Sequence, residues 1–269
     1  MISLLLFFAA LRIGPRAALG SLTSARRSLA TALLYQLILP LAAVGVMLLL
    51  GVAATPWALA LTLVLAAGPV TGSPNFTILM GRDPSVAMRL LLVGTALFPF
   101  TVIPVFWLSP AVDTLLDVLL SALRLAAVLF GAVGIAFAVR HLAWQDVRDD
   151  HRSALDGASA LLLGLVVIGL MSEAGPALWG RPDTFFFWLA FALILNLGLQ
   201  TCAARLMPVA DENDRPGTSV VAGNRNIGLF LVALPPETIE PLFIFIGVYQ
   251  IPMYLTPVLM RRITAPRIA

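Results

Sequence analysis

Apolar runs of membrane-spanning length follow one another along most of this 269-residue chain, joined by loops that are mostly short. A helix needs about 20 apolar residues to cross the hydrocarbon core of a bilayer. Nine stretches are read as crossings: 1–11, 28–50, 57–81, 85–108, 111–139, 154–174, 183–207, 217–235 and 238–260. Charged residues make up only 12% of the chain and hydrophobic ones 60%, against about 25% and 45–50% in soluble domains. Too little polar surface remains to coat a water-soluble globule, which excludes a cytosolic enzyme, a nucleic-acid binder and a disordered chain. The pI of 9.7 points to no nucleic acid, because the net charge is only +3. The expectation is an all-α membrane protein of about nine transmembrane helices whose surrounding partner is the lipid bilayer.

The cations set the orientation. All 17 basic residues are arginine. Alternate loops and the C-terminal tail carry Arg12, Arg16, Arg26, Arg27, Arg82, Arg89, Arg140, Arg148, Arg152, Arg205, Arg215, Arg261, Arg262 and Arg267. The loops on the other side carry only Arg181. Positive-inside bias therefore puts the C-terminus in the cytoplasm and, with nine spans, the N-terminus outside. A multi-pass protein of a bacterial inner (plasma) membrane is expected. The stretch 1–11 has no positive n-region and no convincing cleavage pattern, so it reads as a span and not as a signal peptide. The loop 140–156 is the only long polar connector and reads as a hinge between two halves.

Two spans are interrupted. The third contains Gly68-Pro69-Val70-Thr71-Gly72-Ser73-Pro74-Asn75, and the eighth Ala222-Gly223-Asn224-Arg225-Asn226-Ile227-Gly228. Proline removes a backbone donor and glycine the side chain that guards the backbone, so both stretches should unwind near mid-membrane. Unwound backbone is tolerated there only if buried in protein or lining a wet cavity. Each break falls in the middle helix of a three-helix group, 28–108 and 183–260. The groups start five crossings apart, an odd number, so they insert in opposite senses: two inverted repeats with broken crossover helices, as in secondary transporters.

These residues carry a resemblance. The first break, closing with Gly81-Arg82-Asp83, resembles the fourth-helix crossover of the bile acid:sodium symporter family, roughly P-G-G-T-A-S-N and then L-A-R-G. Gly223-Asn224-Arg225-Asn226-Ile227-Gly228-Leu229 resembles its second crossover, E-V-G-M-Q-N-S-G-L, and Gln36-Leu37-Ile38-Leu39-Pro40 is similar to its third-helix Q-x-x-x-P. The opening Leu5-Leu6-Phe7-Phe8 fits its second helix, leaving the first helix of the ten-helix bacterial form absent. The resemblance runs along nearly the whole chain in order and spacing. It implies one transporter domain over 1–269, with core repeats at about 28–108 and 183–261 and a panel at about 1–27 and 111–174. It also implies elevator-like alternating access for a small organic anion, such as a bile acid, keto acid or other carboxylate or sulfonate.

The departures bear on coupling. Positions that ligate sodium in the family fall here on Pro74, on Met88 or Leu92, on Val221 and on Arg225; only Gln36, Asn75 and Asn226 keep their type. Sodium needs several oxygen ligands, by the hard-cation logic that governs calcium. Apolar side chains offer none and a guanidinium repels the ion, so neither family sodium site survives. Arg225 has two roles open to it: a built-in cation that holds the crossover together in place of sodium, or a fork for a substrate carboxylate. A purely structural bond to crossover carbonyls overlaps the first.

Asn75, Asn224, Asn226 and Gln36 are amides able to satisfy freed backbone or a ligand. Thr71, Ser73 and Thr77 are weaker candidates of the same kind, and Tyr249 and Gln250 are candidate cavity residues on the last helix. Asn75 and Asn226 are expected to carry binding. Asn196 and Gln200 read as helix glue, Asp117, Ser121 and Arg124 as a panel ion pair or cavity lining, and Phe185-Phe186-Phe187-Trp188 as an interfacial belt. The only histidines, His141 and His151, lie in the hinge loop, and Cys202 is the single cysteine. No H-E-x-x-H helix or phosphate-binding G-x-x-x-x-G-K-[ST] loop is present. No catalytic residue, metal ligand or cofactor is expected, and a membrane enzyme or a non-transporting receptor or subunit is the alternative.

Overall fold

The computed structural model describes residues 3–4, 6–8, 10–11, 25–110, 114–142, 149–209 and 211–263. Arg12, Arg16 and the hinge residues Asp146 and Arg148 lie outside them. Among the described residues six helices are long and apolar enough to cross a bilayer: Arg26–Leu49, Ser85–Leu108, Leu116–Leu142, Gly157–Gly180, Pro182–Leu206 and Pro236–Leu259. Large apolar side chains such as Leu49, Trp107, Leu161, Ile168 and Ile194 point outward, while Gln36, Asn196, Gln200, Asn224 and Arg225 are buried. That arrangement inverts the pattern of a soluble domain and suits a lipid solvent. The chain is a multi-pass, all-α integral membrane protein.

The first of these spans is not uniform. Helix α1 (Ala25–Leu33) passes through a π-helical turn (Leu34–Ile38) into α2 (Leu39–Leu49). Pro40 explains the turn: its ring crowds the carbonyl four residues back and it has no N–H to offer. The Leu39 amide reaches back five residues to the Leu34 carbonyl. The donor that would serve Tyr35 in the same pattern is Pro40, so the Tyr35 carbonyl is left without an intrahelical partner.

The third and eighth stretches are broken where glycine, proline and asparagine stand. Helix α3 (Pro56–Ala66) stops because Pro69 denies a donor and pushes the residue before it out of helical conformation. The chain restarts as α4 (Ser73–Leu79), which closes on a Schellman turn. There Arg82 donates to the Thr77 carbonyl and Gly81 to that of Ile78, with Gly81 at φ +73°. Below it Ser85 donates from its amide and hydroxyl to Asp83, holding that carboxyl below its usual range, at the start of α5 (Ser85–Leu108). After α6 (Leu115–Leu142), α7 (Asp149–Leu170), α8 (Ala174–Gly180) and α9 (Pro182–Leu206), the second break separates α10 (Arg215–Gly223) from the short α11 (Phe230–Ala233). Helices α12 (Pro236–Ile239) and α13 (Phe243–Leu259) are the last described.

Packing gathers the breaks at the centre. Helix α9 packs along α10 and α13, and α5 along α1 and α6. Phe230 on α11 meets Phe98 and Phe106 of α5 at ring separations of 5.3 and 5.4 Å. Trp188 meets Phe245 at 5.2 Å. Of the expected interfacial belt, Phe185 and Trp188 are therefore buried in the packing and only Phe186 and Phe187 face outward. Asp117 takes a hydrogen bond from Thr114 at the start of α6, 2.6 Å, and Arg124 points outward; an ion pair between them is not formed.

Two glycines fix how closely the breaks are held. A Cβ on Gly223 would lie 2.2 Å from the Asn196 carbonyl oxygen, and one on Gly94 2.7 Å from Pro69 Cδ. Gly223→Ala and Gly94→Ala should each lower stability by about 1–3 kcal/mol, read as a lower melting temperature in detergent. Gly198→Ala, with nothing within 4 Å of its Cβ position, should not. Equal melting of all three variants and the parent would show that the close approaches do not matter.

Candidate functional site

The two breaks meet. Pro69 and Arg225 form an isolated antiparallel bridge, in which the Val70 amide donates to the Asn224 carbonyl at 3.0 Å and the Asn226 amide to that of Gly68 at 2.9 Å. Two backbones that left their helices thus satisfy each other, as buried non-helical backbone must. The bond pair is symmetric about Pro69 and Arg225, so the ends of α3 and α10, Ala67 and Gly223, hold corresponding places. Each ends in a carbonyl with no helical donor ahead of it.

Arg225 serves the α3 end. It is 2% exposed. Its Nη1 donates to the Ala67 carbonyl at 3.0 Å, its Nε to that of Ala222 at 2.9 Å and its Nη2 to that of Tyr35 at 3.3 Å. The guanidinium also lies over the Tyr35 ring, 5.2 Å from its centroid, a favourable placement for a cation. One side chain thereby caps α3, caps the last turn of α10 and fills the vacancy left by Pro40 in the π turn. No carboxylate among the described residues pairs with it. Each helix C-terminus carries roughly −0.5 of an elementary charge, so two of them together offset one guanidinium.

The α10 end is served by neutral groups. Asn196 Nδ2 donates to the Gly223 carbonyl at 2.8 Å, and the Tyr249 hydroxyl donates to the same oxygen. Asn224 Oδ1 accepts from Asn196 and Thr256, both at 3.1 Å, while its Nδ2 donates to the Val220 carbonyl. Gln200 donates to Asn196 Oδ1 at 2.7 Å and to Thr256 Oγ at 3.0 Å. Helices α9, α10 and α13 are joined through this network.

A chamber of about 40 Å³ adjoins the bridge. Thr71, Arg225 and Asn226 line it from the breaks, Gln250, Met253 and Tyr254 from α13, and Leu163, Val166, Val167 and Leu170 from α7. At about 10–15 Å³ per water position it has room for about three waters, not for a steroid-sized anion. Gln250 donates one amide hydrogen to the Ile246 carbonyl at 3.1 Å.

Of the residues singled out in the sequence, Arg225, Asn226 and Gln250 come together at this chamber, with Thr71. The others do not line it. Asn224 and Tyr249 belong to the network at the α10 end. Gln36 lies against Gly94, where an added Cβ would stand 2.7 Å from its Nε2. Ser73 and Thr77 are buried on one face of α4, Thr77 donating to the Ser73 carbonyl, while Asn75 is exposed on the opposite face. Helical periodicity decides this: residues 73, 76, 77 and 80 turn inward, and 75, 78 and 79 outward. Tyr254 and Thr256 went unnoticed in the sequence, although Tyr254 stands four residues beyond Gln250 on one helical face. Neither a protein-family model nor a curated protein matches this chain.

Removing the guanidinium should unpair three buried carbonyls, each worth about 1–3 kcal/mol. Arg225→Met is expected to melt well below the parent in detergent. Arg225→Lys should fall between them, because one ammonium cannot reach three carbonyls in three directions. A Met variant that melts with the parent would rule out the capping role.

Proposed function

We propose that this protein is a secondary transporter of a small organic anion, a carboxylate or sulfonate, working by elevator-like alternating access and without sodium coupling at the sites that its resemblance to the bile acid:sodium symporter family would suggest. One observation carries the reading: the chamber lies where two broken helices meet, it includes a deeply buried arginine, and it is bounded on its other side by a face of α7. Such a boundary suits a core of about 28–108 and 183–261, built on two inverted repeats, that slides against a panel of about 1–27 and 111–174. Nine crossings, counting the two broken ones, with the C-terminus in the cytoplasm of a bacterial inner membrane, agree with the arginine bias.

The anion preference follows from donors. A guanidinium has five N–H groups, and three of Arg225's atoms already donate to carbonyls. Hydrogens on its terminal nitrogens remain, and Arg225 shares the lining of the chamber with Asn226, Gln250, Thr71 and Tyr254. This group offers hydrogen bonds and net positive potential to an oxyanion. A cation there would stand near a fixed charge, repelled by about 4 kcal/mol at 4 Å with an effective dielectric of about 20.

Sodium independence is tested in proteoliposomes with a carboxylate found by thermal-shift screening. Uptake is expected to continue unchanged when choline replaces sodium at constant membrane potential; a clear drop would refute it. In the same assay Asn226→Ala and Gln250→Ala should abolish uptake while the protein remains folded in the membrane. Asn75→Ala, outside the chamber, should keep it. The reverse pattern would move the substrate site to the outer face of α4.

A further inference from the structure

Two cavities lie end to end along the seam between α7 and α13. Beyond the chamber at the bridge is a wider one of about 320 Å³, with Ser172, Glu173, Leu231 and Phe243 around it. Val166 and Leu170 line both. Down α13, Phe243 and Ile246 face the wide cavity and Gln250 and Tyr254 the chamber, steps of three or four residues that keep all of them on one helical face. The two spaces are therefore successive segments of a single path, with one pair of side chains on α7 common to both.

The backbones touch at that junction. A Cβ on Gly247 would stand 3.0 Å from the Leu170 carbonyl oxygen and 3.3 Å from Met171 Cα. Gly247 lies directly after Ile246 on α13, and Leu170 is the last residue of α7. Small residues admit this kind of close helix approach in membranes. It holds the end of α7 that carries Leu170, a residue lining both cavities, directly against α13.

We infer that Val166 and Leu170 form a gate between the wide cavity and the chamber, held shut by the Gly247 contact, and that the wide cavity is the entrance from the side of the arginine-poor loops. The inference rests on reading the chamber as the substrate site, and it names the side chains that control access to it. Opening requires α7 to part from α13 by about the width of the Leu170 side chain. Because packed interfaces switch between discrete arrangements, the gate has an open and a shut state and not a graded aperture.

Thiol labelling tests the gate without any substrate. In a Cys202→Ser background, Leu231→Cys reports on the wide cavity and Met253→Cys on the chamber, with Val167→Cys as a second chamber reporter should Met253→Cys fail to reach the membrane. A membrane-impermeant charged methanethiosulfonate is applied from the side of the arginine-poor loops. Leu231→Cys should label rapidly and the chamber cysteine about tenfold or more slowly, the ratio set by how rarely the gate opens. Adding Leu170→Ala should bring the chamber cysteine close to the Leu231→Cys rate. The gate is refuted if the chamber cysteine labels as fast as Leu231→Cys with Leu170 in place, if Leu170→Ala leaves it slow, or if Leu231→Cys itself resists the reagent. Labelling needs no transport, so a protein that carried nothing would still give a clear answer here, and failure of the gate would leave the uptake experiments standing.

Discussion

A freed carbonyl buried among packed helices has no bulk water to turn to, and three of them converge on one side chain here. The C-terminal end of α3, the last turn of α10 and the π turn before Pro40 all leave acceptors facing inward. Arg225 donates to one carbonyl from each. Its planar fork suits acceptors lying in several directions. Its charge persists without a carboxylate because two helix C-termini converge on it. The bridge between the breaks, and with it the chamber, depends on this side chain holding three segments together.

The solution is asymmetric. Around the bridge, the ends of α3 and α10 stand in corresponding positions, yet one is capped by a cation and the other by an asparagine and a tyrosine. The residue opposite Arg225 in the bridge is Pro69, which has no polar side chain. Positive charge is consequently confined to the α3 end of the bridge. The α10 end instead gains a neutral network whose members also bind α9 and α13 to one another. One end of the bridge is thus capped by a charge and the other by a rigid neutral network.

Close backbone approach accompanies each feature. Gly223 brings α10 against α9, Gly94 brings α5 against the first break, and Gly247 brings α13 against α7. With no hydrophobic drive to pull helices together inside lipid, dispersion at short range and hydrogen bonds between helices must do so. Glycine at these positions serves both, since it admits the neighbour's backbone to within reach of polar groups. The first two contacts lock the paired breaks to their flanking helices. The third borders the path between cavities, where parting is what the proposed gate requires.

Much of this was legible in the sequence by itself. Scarcity of charge and the length of the apolar runs determined a multi-pass helical membrane protein, because a bilayer admits few other solutions. Gly68-Pro69 and Gly223-Asn224 marked where two helices break, because proline and glycine act on their own backbone and need no neighbour. A buried Arg225 with no acid nearby announced an unusual environment. What sequence could not decide was which side of a short helix faces inward. Asn75 and Ser73 stand two residues apart, yet one is exposed and the other buried, and only packing of α4 against its neighbours selects between them. Nor could sequence reveal that Pro40, 185 positions before Arg225, orphans a carbonyl which that arginine then satisfies. Local chemistry fixed where backbone groups come free; the tertiary structure alone decided which side chains meet them.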